Sequence, residues 1–226
     1  MFEREKWLLG DKIKDISNKT VLIIGLGGVG GYVLESLVRA GIGKVIIIDN
    51  DVVDITNLNR QIISNQNNIG LKKVDEWEKR IKSINPDIEV IKYDAFVDNT
   101  NIDTFFKDKI DYVVDACDTI ETKKAIIRLC INKKIKFITS MGTGNKVDAT
   151  KLVIQDIRKT SYDPIAKILR KMVRDEKINA KIMTVSSTEQ PLIKGKVGSI
   201  SYVPAVAGLL ITNYIIKDIL RSDENV

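Results

Sequence analysis

From Thr20 onward, short runs of apolar and mostly β-branched residues alternate with stretches in which apolar residues recur every three or four positions. That alternation is typical of a parallel sheet flanked by helices. The runs are almost continuously apolar, as expected of strands that are covered on both faces. The sequence therefore predicts an α/β fold, Rossmann-like and doubly wound, with a mainly parallel sheet. The five predicted core strands are 21–24, 45–48, 88–91, 112–114 and 137–139.

The stretches between these strands have a helical period, and the pattern changes after Met141. Predicted crossover helices cover 29–40, 72–84 and 119–133, with a short one at 102–107. Beyond Met141 the pattern predicts a strand at 152–157, an amphipathic helix at 164–174, a strand at 182–185 and an apolar helix from 204 to about 220. We predict one domain over 1–226, divided into an arm (1–19), a core (20–140), a substrate-side segment (141–200) and a closing helix (201–220).

Composition is that of a folded globular protein, with 226 residues, 44% hydrophobic and 29% charged. Lys and Arg number 36 against 30 for Asp and Glu, and the net charge of +6 suits a polyanionic partner. The N-terminus is charged, and the longest apolar run is shorter than the ~20 residues that span a bilayer. We therefore expect neither a signal peptide nor a membrane segment.

Two absences exclude whole classes of mechanism. There is no histidine, which removes Ser-His and Cys-His nucleophiles, imidazole bases and His-ligated metals. The two cysteines, Cys117 and Cys130, form no C-x-x-C pair, so neither a zinc cluster nor a dithiol redox motif is expected. Cysteine usage of this kind favours a cytoplasmic protein. Any catalysis has to use carboxylates, Lys, Arg or backbone dipoles.

A glycine-rich turn follows the first predicted strand and opens a predicted helix. Gly25, Gly27, Gly28 and Gly30 permit a tight turn and a close approach of backbone N–H groups to a phosphate. Asp49 follows the second strand, where a carboxylate can accept hydrogen bonds from ribose hydroxyls. This context favours a nucleotide site over a glycine turn without a ligand. Alone, the motif is typical of a dinucleotide-binding dehydrogenase.

Charged residues further along favour a triphosphate instead. Arg60 and Lys73 follow the ribose-binding strand, and two cations there can clamp the charge that develops on phosphates during attack at the α-phosphorus. Taken separately, each cation is better explained as a solvated surface charge; together with the glycine loop, the two favour a phosphate clamp. Asp118 follows the fourth strand at the same edge of the sheet and is a candidate Mg²⁺ ligand. We interpret the nearby Asp115 as a turn or capping residue.

The ordered motifs at 25–30, 49–51, 56–61, 70–73, 84–86 and 115–118 resemble the ThiF/MoeB/HesA superfamily, relatives of ubiquitin-activating enzymes. Members adenylate a carboxylate with ATP. The resemblance implies that Asp118 coordinates Mg²⁺ or orients the phosphates, and that Arg4 reaches across a homodimer into the partner's ATP site. It implies catalytic roles for Arg4, Arg60, Lys73 and Asp118. The ATP-binding residues that it implies are Gly25, Gly27, Gly28, Gly30, Asp49, Asp51, Asn57, Arg60 and Lys73.

Members that activate carrier proteins generally have two C-x-x-C pairs, which are missing here. The chain instead resembles, almost end to end, the tRNA threonylcarbamoyladenosine dehydratase family, most specifically at 140–150 and 159–166. That resemblance implies adenylation of the threonyl carboxylate of the modified adenosine in a tRNA anticodon loop. A nitrogen of the same group then closes a ring and expels AMP, so the protein needs no histidine or cysteine nucleophile. Some relatives have a cysteine in the 180s, where this chain has Met183 and Thr184.

A basic stretch after Met141 is the candidate tRNA-binding surface, although a solvated helix face is an equal explanation for 167–174. Three other functions stay open: an activator of a small sulfur-carrier or ubiquitin-like protein, a dehydrogenase, and a non-catalytic tRNA-binding module. Participation of a sulfur-mobilising partner is also open. The basic residues are Lys146, Lys151, Arg158, Lys159, Lys167, Arg170, Lys171 and Arg174.

Overall fold

The computed structural model describes residues 2–193 and 195–221. Seven strands form one sheet in the order β3-β2-β1-β4-β5-β7-β6. All neighbouring pairs are parallel except β6 with β7. The predicted α/β fold with a mainly parallel sheet is therefore confirmed. The strands are β1 (Thr20–Ile24), β2 (Lys44–Ile48), β3 (Glu89–Tyr93), β4 (Tyr112–Asp115), β5 (Lys136–Ser140), β6 (Leu152–Asp156) and β7 (Met183–Ser187).

Seven α-helices accompany the sheet in the described part of the chain, two of them in the arm, where none was predicted. The stretch predicted as a short helix at 102–107 is a 3₁₀ turn, Ile102–Phe105. The α-helices are α1 (Glu3–Leu9), α2 (Ile13–Ser17), α3 (Gly30–Arg39), α4 (Lys73–Ile84), α5 (Ile120–Lys133), α6 (Pro164–Asp175) and α7 (Tyr202–Arg221). The predicted division into an arm, a core, a substrate-side segment and a closing helix stays a prediction.

The strands separate two apolar layers because successive side chains point to opposite faces. Val21 and Ile23 of β1 pack with α3, α4 and α7, where Trp77 is fully buried. Leu22 and Ile24 of the same strand pack with α5 on the other face. Burial on both faces accounts for the continuous apolar runs in the sequence.

Helix α7 is long and apolar enough to cross a membrane by length and composition. Half of that stretch is buried inside the structure, where it packs on α3. A β-carbon at Gly208 would lie 2.6 Å from the Val29 carbonyl oxygen, so glycine permits this close approach. We conclude that α7 is a core helix that supports the start of α3.

Candidate functional site

A cavity of about 980 Å³ opens at the carboxyl ends of β1 to β5. Parallel strands bring the loops that follow them to one edge of the sheet, so residues distant in sequence meet there. Two predicted site residues, Arg4 and Gly30, do not line the cavity. The predicted residues that do are Gly25, Gly27, Gly28, Asp49, Asp51, Asn57, Arg60, Lys73 and Asp118.

The glycine loop is as tight as its sequence predicts. Gly25 has a φ of 89°, and a β-carbon there would lie 2.7 Å from the Ala116 carbonyl oxygen. A β-carbon at Gly30 would lie 1.8 Å from the Gly25 carbonyl oxygen, so Gly30 closes the turn behind the cavity. In the described part of the chain, the amides of Gly27 and Gly28 donate no hydrogen bond. They remain available to a phosphate, next to the N-terminus of α3.

Asp49 connects the glycine loop to the loop that follows β2. Its Oδ2 accepts a hydrogen bond from the Leu26 amide at 2.6 Å, and its Oδ1 accepts one from the Asp51 amide at 2.8 Å. Burial raises the pKa of this carboxyl, an effect opposed by the nearby Lys73 ammonium and by the two amides. Asp49 thus holds the glycine loop and presents a carboxylate to the cavity.

Lys73, the first residue of α4, is buried, and its Nζ lies 2.7 Å from Oδ2 of the exposed Asp51. The predicted phosphate ligand is therefore positioned by a second predicted site residue. Asn57 is buried at the cavity edge, where its Oδ1 accepts a hydrogen bond from the Asp54 amide. The side chain of Asn57 thus stabilises the turn that carries Arg60.

Arg60 lies over the glycine loop. Its Cγ is 3.4 Å from where a β-carbon of Gly28 would be, and its Nη1 donates to the Thr56 carbonyl oxygen at 2.8 Å. Asp118 is exposed at the cavity, after β4. Its Oδ1 accepts a long hydrogen bond of 3.5 Å from the Thr119 hydroxyl, and it forms no ion pair with another described residue, so the carboxylate can still accept a ligand. Arg60 and Asp118 therefore place opposite charges beside the same loop.

A buried ion pair forms the floor of the cavity and was missed from the sequence. Lys123 Nζ donates to Asp115 Oδ1 at 3.0 Å and to the Ser140 carbonyl oxygen at 2.8 Å, and both charged side chains are buried. Thr139 donates to Asp115 Oδ2 at 2.5 Å. Asp115 is thus a structural residue at the end of β4, and its ion pair with a buried cation goes beyond its interpretation as a turn or capping residue. The sequence did carry a signal for this pair: Asp115 ends an apolar strand, and a buried carboxylate requires a cation as its partner.

The cysteines are poor nucleophiles. Burial raises the pKa of Cys130 to about 12, and it raises the pKa of Cys117 as well, with the Asp115 carboxylate adding to the effect. A thiol with a raised pKa stays protonated near neutral pH and reacts slowly. This agrees with a site that works without a cysteine nucleophile.

The basic stretch after Met141 is only partly a surface. Lys146 is 3% exposed, so the interpretation of Lys146 as a phosphate-binding surface residue is wrong. Arg158 pairs with Asp156, Lys171 and Arg174 pair with Asp175, and Arg170 donates to Thr160. Lys151 is exposed with Asp148 3.9 Å away. Lys159 and Lys167 are exposed, and neither forms an ion pair with another described residue.

Arg4, in the N-terminal arm, lies outside the cavity of its own chain. Helix α1 buries none of its residues, and Arg4, Trp7 and Leu8 are exposed on it. Action of Arg4 on a second copy stays a prediction.

Metal binding by the protein alone has little support among residues 2–193 and 195–221, which contain no cluster of three or more His, Cys, Asp or Glu side chains suited to a metal. Mg²⁺ usually keeps several waters and is bound by one or two carboxylates together with substrate phosphates. One exposed carboxylate, Asp118, at the same cavity as the glycine loop fits that mode.

A family model, a curated relative and solved structures all match this chain along most of its length. The ThiF family model matches residues 6–226. The tRNA threonylcarbamoyladenosine dehydratase of Bacillus subtilis is 37% identical over 243 aligned residues, which cover 99% of this chain and 96% of the relative. The crystal structure of the Escherichia coli tRNA N6-threonylcarbamoyladenosine dehydratase in complex with ATP superimposes with a TM-score of 0.93 at 32% identity, covering 99% of this chain and 95% of that one. The same E. coli enzyme in complex with AMP gives a TM-score of 0.92 at 31% identity, covering 98% and 94%.

Proposed function

The chain belongs to the ThiF family, and on that premise we propose that it is an ATP-dependent tRNA threonylcarbamoyladenosine dehydratase. The enzyme transfers AMP from ATP to the threonyl carboxylate of the modified adenosine and releases pyrophosphate. A nitrogen of the same side group then attacks the acyl carbon, loses its proton and expels AMP. One water is lost overall, and its oxygen leaves on AMP.

A single observation supports this function best. One cavity combines a glycine loop with free amides, two cations next to that loop and an exposed carboxylate, and neither cysteine of the chain is activated. These groups can bind and polarise a triphosphate, but they provide no activated nucleophile. It suits a reaction in which the substrate carries its own nucleophile, and where the protein contributes positioning and charge stabilisation.

Each site residue has a role in this proposal. The amides of the glycine loop bind the phosphates, and Asp49 binds the ribose hydroxyls. Arg60 and Lys73 stabilise the negative charge that builds up around the α-phosphorus. Asp118, together with the phosphates, holds Mg²⁺, which supplies further charge neutralisation when it is bound. Asp51 orients Lys73, from which it is separated by 2.7 Å.

The active unit in our proposal is a homodimer. No residue of α1 is fully buried, although Leu9 packs against the core, and the helix exposes Trp7 and Leu8, which favours contact with another molecule. Arg4 would then enter the partner's ATP site and stabilise the transferring phosphate. A tRNA is the proposed substrate, with the exposed Lys159 and Lys167 as candidate phosphate contacts. We place the enzyme in the cytoplasm, where its tRNA substrate is found.

The rival function, activation of a small sulfur-carrier or ubiquitin-like protein, would use the same ATP site. It is disfavoured because the chain has no C-x-x-C pair and because its two cysteines are unreactive.

The test measures AMP release from ATP in the presence of threonylcarbamoylated tRNA, unmodified tRNA, or a carrier protein with a Gly-Gly tail. Release only with the modified tRNA is expected. Release with the carrier protein alone would favour the rival.

A further inference from the structure

A buried cluster of three charged side chains lies behind one wall of the cavity. Lys146 is 3% exposed, Asp163 is 5% exposed and Glu189 is 7% exposed. Lys146 Nζ is 3.9 Å from Asp163 Oδ2, and Glu189 accepts hydrogen bonds from the amides of residues 147 and 148. None of these residues takes part in nucleotide binding as proposed above. Burying a charged side chain lowers the stability of the fold unless the charge is paired and hydrogen-bonded. The arrangement of these three side chains therefore needs an explanation.

The cluster holds a turn, residues 142–144, that lines the cavity after β5. Gly142 is held from both sides, because its amide donates to Asp163 Oδ2 at 2.9 Å and its carbonyl oxygen accepts from Lys146 Nζ at 3.0 Å. A β-carbon at Gly142 would lie 3.0 Å from Asp163 Oδ2, so the carboxylate packs directly against the glycine. The first residue of the turn therefore has little freedom to move.

Asn145 holds the other end of the turn. It has a left-handed backbone, with a φ of 60°, and its side chain accepts from the Gly198 amide at 2.6 Å and donates to the Lys196 carbonyl oxygen at 2.9 Å. Its backbone amide donates to the Gly198 carbonyl oxygen at 2.8 Å. Such strain in a non-glycine residue persists only where surrounding contacts impose it. The turn is thus fixed at both ends.

Between these fixed ends, hydrogen-bond donors are left without partners. In the described part of the chain, the amides of Thr143 and Gly144 and the hydroxyl of Thr143 make no hydrogen bond. Unpaired donors on a rigid turn that lines a cavity are suited to a ligand with acceptor oxygens, such as a carboxylate or a carbamoyl group.

Strand order places this turn at the end of the cavity away from the nucleotide. The sheet runs β2-β1-β4-β5, so the turn after β5 is two strands from the glycine loop after β1, or about 10 Å at ~4.8 Å per strand. Asp118, after β4, lies between them. A carboxylate that is to be joined to the α-phosphate must lie next to the nucleotide, along the sheet edge that runs from the glycine loop past Asp118 to this turn. We propose that the 142–144 turn is the subsite for the carboxylate-bearing side group of the second substrate, with Lys146 as the positioning residue that holds it.

This inference rests on the proposed function, and the experiment separates the two. Initial rates of tRNA cyclisation are measured as a function of tRNA and of ATP concentration for Thr143→Val, Lys146→Met and Lys146→Arg. Thr104→Val and Lys109→Met serve as matched controls, since both residues are exposed and outside the cavity. ATP affinity and thermal midpoint are measured for every variant.

We expect Thr143→Val to lower kcat/KM for tRNA about tenfold, the equivalent of one hydrogen bond of ~1.4 kcal/mol, with ATP affinity within twofold of the parent. Lys146→Met should lower it further, and Lys146→Arg should recover part of the loss because a cation still reaches Asp163. The inference is overturned if Thr143→Val and Lys146→Met keep parental kcat/KM for tRNA. It is also overturned if ATP affinity falls in parallel. A parent protein that cyclises no tRNA would instead overturn the proposed function, on which the inference depends.

Discussion

Replacing Lys123 by Met tests how the floor of the cavity is held together. The ammonium of Lys123 makes three contacts: 3.0 Å to Asp115 Oδ1, 2.8 Å to the Ser140 carbonyl oxygen and 3.4 Å to the Thr139 hydroxyl. These contacts join α5 to the ends of β4 and β5. Methionine fills nearly the same space but leaves the Asp115 carboxylate, which is 0% exposed, without a counter-charge.

The expected cost is large because a buried charge loses its only described ion-pair partner among residues 2–193 and 195–221. Removing one partner of a buried pair typically costs about 3–5 kcal/mol. With a urea dependence of about 2.5 kcal/mol per M, the unfolding midpoint should fall by about 1.2–2 M. Hydrogen bonds from Thr139 and Cys117 to Asp115 remain in the variant and favour the lower end of that range.

The assay is urea unfolding followed by circular dichroism, and the control is the double variant Asp115→Asn with Lys123→Met. Because the double variant removes both charges, it should recover more than half of the lost free energy of unfolding. A loss below about 1 kcal/mol for Lys123→Met would refute the reasoning. So would a double variant that is destabilised by the sum of the two single changes.

Three further predictions concern the nucleotide site. Arg60→Ala should abolish pyrophosphate release with little change in thermal midpoint, since the side chain is only partly buried; undiminished release would contradict the proposed phosphate clamp. Burial raises the pKa of Asp49 above its ordinary value of 3.8, so ATP affinity should fall with decreasing pH, beginning above that value, if ribose hydroxyls bind the ionised form. Titration of ATP binding from neutral to acidic pH checks this, and Asp49→Asn should flatten the profile. Arg4→Ala should be rescued in mixed dimers by Lys73→Ala, and failed complementation would contradict action in trans.

Much of the sheet was predictable because its strands are buried on both faces. A strand such as Lys44–Ile48 needs a continuous apolar run whatever its neighbours are, and that requirement is visible locally. Helix α1 was missed because none of its residues is fully buried, although Leu9 packs against the core, so packing determines little of its sequence. The segment 102–107 has apolar residues at helical spacing but is too short, and it forms a single 3₁₀ turn.

The glycine loop and its cations were predictable because close approach to a phosphate requires particular residue types at particular spacings. The buried roles of Lys123 and Lys146 were not, because each depends on a carboxylate that belongs to a different structural element: Asp115 ends β4, and Asp163 precedes α6. Lys146 meets Asp163, the N-cap of α6, because α6 packs against α5 and β5 in the folded chain. A lysine beside polar residues is typical of a surface, and tertiary contacts override that expectation here.

Nucleoside mass spectrometry tests the central claim most directly. Transfer RNA that contains threonylcarbamoyladenosine is incubated with the protein, ATP and Mg²⁺, then digested, and the modified nucleoside is weighed. The proposed function predicts an ATP-dependent product that is one water lighter, with one AMP released for each ring closed. It also predicts no such product with the Arg60→Ala variant. An unchanged nucleoside mass in the presence of active, ATP-binding protein would contradict the account.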